Sequence, residues 1–335
     1  MPSSRNRKIM ISTIAKTFGV AGHREGSAIR ILILGGTRFT GRATVELLVS
    51  QGHEVTVVSR NPNIPERTAR AINSDRLNGL RQLKKRTFDA TIDFICSSGQ
   101  DVDDVYKYLD PGLYVLISTV WLAKREGNKE LFPHIPEITE RYLQAKRRAE
   151  EAVSTRRSQG YPGTSLRLPI QSGVNDHTRR LLFYLDRIAD DSGIILINGG
   201  TNCFQLVNNE DVASALSKAL LMNVLGSIGV WDAMPDYVIS VKEMIRIMAG
   251  KKEVSMYDIS DQKLAGLLPE YLDQEPFWQE HPLSVLDNNL FQITETVPRK
   301  LEEWIMPLRE LTRSLEHSHL RQKEIVVMQN LPSMS

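Results

Sequence analysis

The apolar run Ile29-Arg30-Ile31-Leu32-Ile33-Leu34 leads directly into Gly35-Gly36-Thr37-Arg38-Phe39-Thr40-Gly41. From Gly41 to Gln51, residues Ala43, Val45, Leu47, Leu48 and Val49 fall on or near one helical face. A near-continuous apolar run reads as a strand buried on both faces, and the 3.6-residue period that follows reads as an amphipathic helix. Strand, glycine-rich turn and helix in immediate succession constrain this chain more than any other stretch. Neighbouring glycines let the backbone turn tightly and come close to a pyrophosphate. Gly41 lets the helix pack near the sheet with its amino end facing the phosphates. Arg38 stands where such turns usually carry a middle glycine.

Strand and helix signals keep alternating after that turn. Strands are expected at Glu54 to Ser59, Arg70 to Asn73, within Thr87 to Cys96, at Leu113 to Ser118 and at Thr164 to Leu168. Helices are expected at Leu77 to Lys85, Asp101 to Leu109 and Thr139 to Arg157. Such a series predicts an α/β fold, a doubly wound parallel sheet of the Rossmann type. Its ligand would lie beyond the carboxyl ends of the strands, where the glycine turn sits. The later part is less regular. Phe204 to Val207 reads as a strand, Asp211 to Met222 as a helix, and Ser240 with Glu243 as a capping box opening a helix to Ala249. The expected organisation is a basic leader over 1–28 and a dinucleotide-binding domain over 29–170. A smaller α/β substrate lobe would follow over 171–316, interleaved with the core near 204–222, and then a polar, mobile tail over 317–335.

Composition narrows the function classes. The 335 residues carry a formal net charge of +2, so no strong field draws the chain to nucleic acid. Basic clusters such as Lys84-Lys85-Arg86 and Lys146-Arg147-Arg148 read as solvated faces. Two cysteines, Cys96 and Cys203, do not make a disulfide scaffold and fit a reducing compartment. The longest apolar runs are too short to span a bilayer. Seven histidines form no HExxH and no Cys/His cluster, so no metal site is expected. A cytoplasmic protein with a small-molecule substrate is the expectation, with a homodimer left open.

The end of the second strand bears on cofactor choice. NAD-selective sites usually place a carboxylate there to accept from the ribose 2′-hydroxyl. Here the strand ends Val57-Val58-Ser59-Arg60. Arg60 and Ser59 suit a 2′-phosphate, and Arg38 can reach the same group from the glycine turn. These residues favour NADP(H), with NAD(H) kept as the alternative.

Tyr142 and Lys146 lie four residues apart, one above the other on a helix face. A neighbouring ammonium favours phenolate, which makes a tyrosine usable as an acid or base near neutral pH. The preceding strand ends Ile117-Ser118-Thr119. A hydroxyl there can hold the substrate oxygen that Tyr142 protonates or deprotonates; Thr119 is the first choice and Ser118 the reserve.

Taken together, these pieces resemble the extended short-chain dehydrogenases/reductases of the NAD-dependent epimerase/dehydratase family, and in particular its GGTRF branch. The matching stretches, spread over about 29–305, are GGTRFTG, VVSR, Asn73-Ser74-Asp75-Arg76, FDATIDF, Ile117-Ser118-Thr119, YLQAK, Ser165-Leu166-Arg167-Leu168-Pro169 and the run from Val207 to Ala213. The resemblance implies that Gly35, Thr37, Arg38, Phe39, Thr40 and Gly41 hold the pyrophosphate and adenosine end, and that Asp75 contacts adenine. It also implies that Thr119, Tyr142 and Lys146 act together, with Lys146 anchoring the nicotinamide ribose, and that Asp211 ties the C-terminal lobe to the core. Sugar 4,6-dehydratases carry Asp and Glu after the hydroxyl residue, where this chain has Val120 and Trp121, which argues against that dehydration. Nucleotide-sugar enzymes typically follow the sixth strand with Pro, Asn and Tyr-Gly-Pro, where this chain has Pro169-Ile170-Gln171-Ser172-Gly173-Val174-Asn175.

The expected activity is hydride transfer at a carbonyl or carbinol carbon. Sugar epimerisation with the same parts is the first alternative, and a non-catalytic cofactor- or RNA-binding member of the fold is the second. Asp93 is expected to bond backbone or neighbouring loops, and His53 to be structural. His317 and His319 should be solvated. Trp121, Phe183, Tyr184, Trp231, Phe277 and Trp278 could line a pocket, though a core role is the commoner fate of such residues.

Overall fold

Strand β1 (Arg30–Leu34) lies at the middle of the main sheet because all but its first residue are buried, so only a covered strand can accommodate it. The structure is a computed structural model that describes residues 28–61, 69–123, 137–277, 289–315 and 318–334. The 1–27 stretch of the expected leader, with Trp278 and His317, falls outside the described residues.

Two units make up the chain. The first takes the described residues of 28–169, Glu210–Met234 and 289–297. It holds β1, β2 (Glu54–Ser59), β3 (Arg70–Asn73), β4 (Ala90–Asp93), β5 (Leu113–Thr119), β6 (Gly163–Leu168) and β7 (Val230–Asp232). These form one seven-stranded sheet in the order β7-β6-β5-β4-β1-β2-β3, every pairing parallel. The helices are α1 (Phe39–Ser50), α2 (Arg76–Gln82), α3 (Gly99–Tyr108), α4 (Glu137–Ser158) and α5 (Asn209–Leu221). This is the doubly wound parallel sheet expected from the alternating signals. On one of its faces Leu32, Leu34, Val58, Tyr114 and Leu116 pack with Val102 and Val105 of α3 and Ala149 and Val153 of α4.

Local chemistry sets the boundaries. β4 was expected to run towards Cys96 but ends at Asp93, whose Oδ1 accepts from the Ile95 backbone N–H at 3.1 Å. That local bond draws the chain out of the ladder. Asp75 caps α2 and Ser98 caps α3, accepting from the N–H groups of Asn78 and Asp101. The edge strand β7 carries no periodic signal in three residues and was not foreseen from the sequence.

The second unit takes Ile170–Asn209 and the described residues of 235–277 and 298–334. The stretch expected as one strand over Phe204 to Val207 is two. Cys203–Phe204 pairs antiparallel with Ile239–Ser240, and Leu206–Asn208 pairs parallel with Ile170–Ser172, so the chain changes partner at Gln205. Ser240 caps the helix Val241–Ala249 as expected. Tyr184 and Phe277 are core residues rather than pocket walls: both are buried, and Phe277 stacks on Phe204 at 4.5 Å between ring centroids. Trp231, in the first unit, is also buried and donates from Nε1 to the Leu225 carbonyl.

The end of the chain differs most from expectation. In place of a mobile tail, His319–Met328 is a helix whose Arg321 and Glu324 are buried. Arg187 donates to both Glu324 oxygens, from Nε at 2.9 Å and from Nη2 at 2.5 Å. Arg321 donates to Glu324 at 2.7 Å, to both oxygens of Asp190 at 2.6 Å and to the Gly193 carbonyl at 2.7 Å. The polar composition that suggested a tail is a buried ionic network. His319, at the helix start, is exposed as expected.

Removing one member of such a network leaves buried charge uncompensated, which costs about 3–5 kcal/mol. Glu324→Ala should therefore lower unfolding free energy by about that amount in a denaturant titration. A loss below about 1 kcal/mol, the scale of an exposed pair, would mean the helix is not anchored this way.

Candidate active site

The glycine turn is built for close backbone approach. Gly35 sits at φ 85°, in the left-handed region, and a Cβ there would lie 2.3 Å from Ile95 Cγ2. A Cβ on Gly41 would meet the Gly35 carbonyl oxygen at 2.8 Å, so the first turn of α1 presses on the end of β1. Arg38 has φ −134° and ψ 148°, extended backbone that any residue adopts. The left-handed residue in this half of the turn is Phe39, at φ 50°. An arginine therefore replaces the usual glycine without strain, and its side chain is exposed.

Thr37 and Ser59 share a hydrogen bond of 2.9 Å between hydroxyls, tying the glycine turn to the end of β2. Arg60 follows, exposed. Asp75 lies at the end of β3, where its carboxylate accepts from the Asn78 backbone N–H at 2.9 Å and from Asn78 Nδ2 at 2.7 Å. Those two bonds hold its carboxyl below the usual range. Gly35, Thr37, Arg38, Phe39, Thr40, Gly41, Ser59, Arg60 and Asp75 thus collect at the carboxyl ends of β1, β2 and β3.

The second cluster belongs to β4, β5 and α4. Lys146 is 7 % exposed, and its Nζ donates to the Cys96 carbonyl at 2.9 Å and to the Ile117 carbonyl at 2.8 Å. An ammonium has three donors and these two carbonyls take two. Burial pulls its pKa down, opposed by Cys96, Asp93, Glu150 and Asp101. Tyr142 is half-exposed, and the Lys146 ammonium lies 5.9 Å from its ring centroid. Thr119 is the last residue of β5, two beyond the Ile117 carbonyl, and its Oγ1 accepts from the Trp121 N–H at 3.3 Å. Ser118 is also buried, and its hydroxyl has no hydrogen-bond partner among the described residues. Both remain candidates to hold a substrate oxygen. Asp211 is buried in the first turn of α5.

Sequence reasoning missed a buried network behind Lys146. Asp93 is fully buried, accepts from Tyr114 Oη at 2.8 Å and lies 2.7 Å from Arg76 Nη1. The expectation that Asp93 bonds backbone covers its contact with Ile95 but not these two side chains. A charged residue inside an otherwise apolar strand was the available signal.

The arrangement is a parallel sheet with a glycine turn at the end of β1 and a Tyr–Lys helix packed beside β5. Residues 31–108 match the family model described as NAD dependent epimerase/dehydratase family. That match spans less than a quarter of the 335 residues. No curated protein sequence matches it. Among solved structures, Pal from Bacillus thuringiensis is similar at 18% identity and TM-score 0.63, covering 84% of this chain and 98% of that one. UDP-N-acetylglucosamine 4-epimerase from Bacillus cereus is similar at 15% identity and TM-score 0.62, covering 86% and 100%. UDP-glucose 4-epimerase from Thermotoga maritima gives 17% identity and TM-score 0.61, covering 84% and 98%. At these identities the likeness establishes the fold. Among the described residues no helix is long and apolar enough to cross a membrane.

The site's cysteine gives a pH test. Burial, with the Asp93 charge nearby, pushes the Cys96 thiol from 9.0 up to about 11. Between those values the folded chain keeps a proton that the unfolded chain has released, so stability falls as pH rises through that window. Cys96→Ser should flatten this alkaline loss in thermal melts run across the window. In native protein at pH 8, a thiol reagent should reach Cys203, which is half-buried, long before Cys96. Equal labelling rates would contradict the burial of Cys96.

Proposed function

We propose that this chain is an NADP(H)-dependent oxidoreductase of the extended short-chain type, acting at a carbonyl or carbinol carbon of a small molecule. The observation that carries this reading is the buried Lys146 ammonium, fixed by two carbonyls with its third donor unbonded among the described residues, beside the ring of the half-exposed Tyr142. A lysine with only a structural role gains little by sitting next to an accessible phenol.

The residues present fit a dinucleotide. Gly35 and Gly41 give the close approach that a pyrophosphate needs, and the amino end of α1 offers backbone N–H groups to it. Ser59, Arg60 and Arg38 provide a hydroxyl and two guanidiniums where a 2′-phosphate would lie, with no carboxylate at the end of β2. The family match is to NAD-dependent proteins and leaves the choice between the two cofactors to experiment.

Bound there, the nicotinamide would supply the hydride chemistry. Tyr142 would give its phenolic proton to the substrate oxygen during reduction and take it back during oxidation. The Lys146 cation would favour the phenolate state of Tyr142 and donate to the ribose. Thr119, or Ser118, would hold the substrate oxygen by a hydrogen bond. The fold neighbours named as UDP-sugar 4-epimerases support a second reading, in which the same parts oxidise a carbinol transiently and reduce it from the other face. Stoichiometric consumption of NADPH marks the first reading, and turnover without net cofactor change marks the second.

Tyr142→Phe should lower kcat by about 10²- to 10⁴-fold while leaving cofactor affinity nearly unchanged. A fully active variant would contradict the assignment. Arg38→Ala should weaken NADPH binding by about ten- to a hundredfold, the scale of a charged hydrogen bond, and leave NADH binding almost as it was. Equal losses for both cofactors would remove Arg38 from the 2′-phosphate site.

A further inference from the structure

Lys146 does not hold its own position. Both its acceptors are main-chain carbonyls. Ile117 lies inside β5, where the ladder to β6 pairs it with Leu166. Cys96 belongs to the connection between β4 and α3, outside any ladder, and something else must hold it.

What holds it is a set of ionic and polar contacts around Arg76. This residue opens α2, directly after Asp75, and its side chain is largely buried. Its Nη1 lies 2.7 Å from Asp93 Oδ2, its Nη2 donates to the Asp101 carbonyl at 2.6 Å, and its Nε lies 3.4 Å from Asp101 Oδ1. One guanidinium therefore grips both ends of the connection that carries Cys96. From the β4 side Asp93 adds bonds from Tyr114 Oη and from the Ile95 N–H. From the α3 side Asp101 accepts from the Ser97 N–H at 2.7 Å and from the Ser97 hydroxyl at 2.8 Å.

We propose that the buried Arg76–Asp93 pair is a positioning device for Lys146: it fixes the Cys96 carbonyl against the ammonium. This rests on the reading of Lys146 as a cofactor-binding cation. Because Arg76 adjoins Asp75, the device also joins the expected adenine end of the crevice to the expected nicotinamide end.

The charged and titratable groups around Lys146 come from several elements. Tyr142 and Glu150 share its helix, and Glu150 is paired with Arg167 of β6 at 2.7 Å. Asp93 and Cys96 face it from β4 and the connection, Asp101 from α3, and Arg76 stands behind Asp93. Asp93 is the buried anion of this group that variation can neutralise with little change of shape.

The test measures NADP⁺ binding calorimetrically across neutral to alkaline pH, together with amide hydrogen exchange of residues 94–98 in the unliganded protein. In wild type, affinity should fall at high pH as Lys146 loses its proton, and Lys146→Met should abolish that limb. In Asp93→Asn the limb should move down by about one pH unit, since an opposing charge is removed, and 94–98 should exchange faster. Arg76→Lys keeps a cation opposite Asp93 but cannot span both ends of the connection. It should hasten exchange while leaving the limb near its wild-type position. A folded Asp93→Asn protein with wild-type exchange and a wild-type limb overturns the proposal. If Asp93→Asn does not fold, Tyr114→Phe removes one bond onto Asp93 without changing charge, and unchanged exchange in that variant overturns it equally. If wild type binds no NADP⁺ at any pH, the functional reading fails, while the exchange measurement still decides whether the pair positions the Cys96 segment.

Discussion

A buried ammonium is the constraint around which the first unit is arranged. Taking a lysine out of water is costly, and the cost is tolerable only where acceptors are already in place. Lys146 finds one acceptor in the rigid interior of β5 and the other in a connection that must itself be held. The covered sheet supplies the first. Arg76, Asp93 and Tyr114 bear on the second. Tyr142 is then set one helical turn away with its ring beside the charge and nearly half its surface open. The groups that make a charged lysine bearable in the interior are those that hold it in place.

The glycine turn shows the complementary principle, in which space rather than charge is controlled. Gly35 and Gly41 are required because the end of β1, the loop after β4 and the first turn of α1 converge there with no room for a Cβ. Arg38 is tolerated in the same turn because its backbone is extended. The residue at this position is thus free to be chosen for its side chain, and under the proposed function a guanidinium there is a means of telling a phosphate from a hydroxyl.

Much of the first unit was legible because its code is local and periodic. The apolar run of β1, the alternation that followed and the four-residue step from Tyr142 to Lys146 each survive as read. Features defined by contact partners were not legible. Asp93 shortens β4 through a bond to its own backbone, and nothing in the run Ala90-Thr91-Ile92-Asp93-Phe94-Ile95-Cys96 shows that the carboxylate will turn the chain. The pairing of Asp93 with Arg76 joins residues distant in sequence, and the C-terminal helix owes its order to Arg187 and Asp190 far upstream. A stretch of charged residues reads as solvated until its partners are known. The exchange of strand partners at Gln205 is hidden for the same reason.

Under the proposed function a dinucleotide lies over the glycine turn with its nicotinamide ribose against the third donor of Lys146. A crystal structure with NADP⁺ tests this most directly. A ribose hydroxyl is expected at hydrogen-bond distance, about 2.7–3.2 Å, from Lys146 Nζ, with the carbonyls of Cys96 and Ile117 still bonded to it and the 2′-phosphate within reach of Arg38 or Arg60. A nucleotide bound elsewhere, or a ribose that leaves Lys146 untouched, would contradict it.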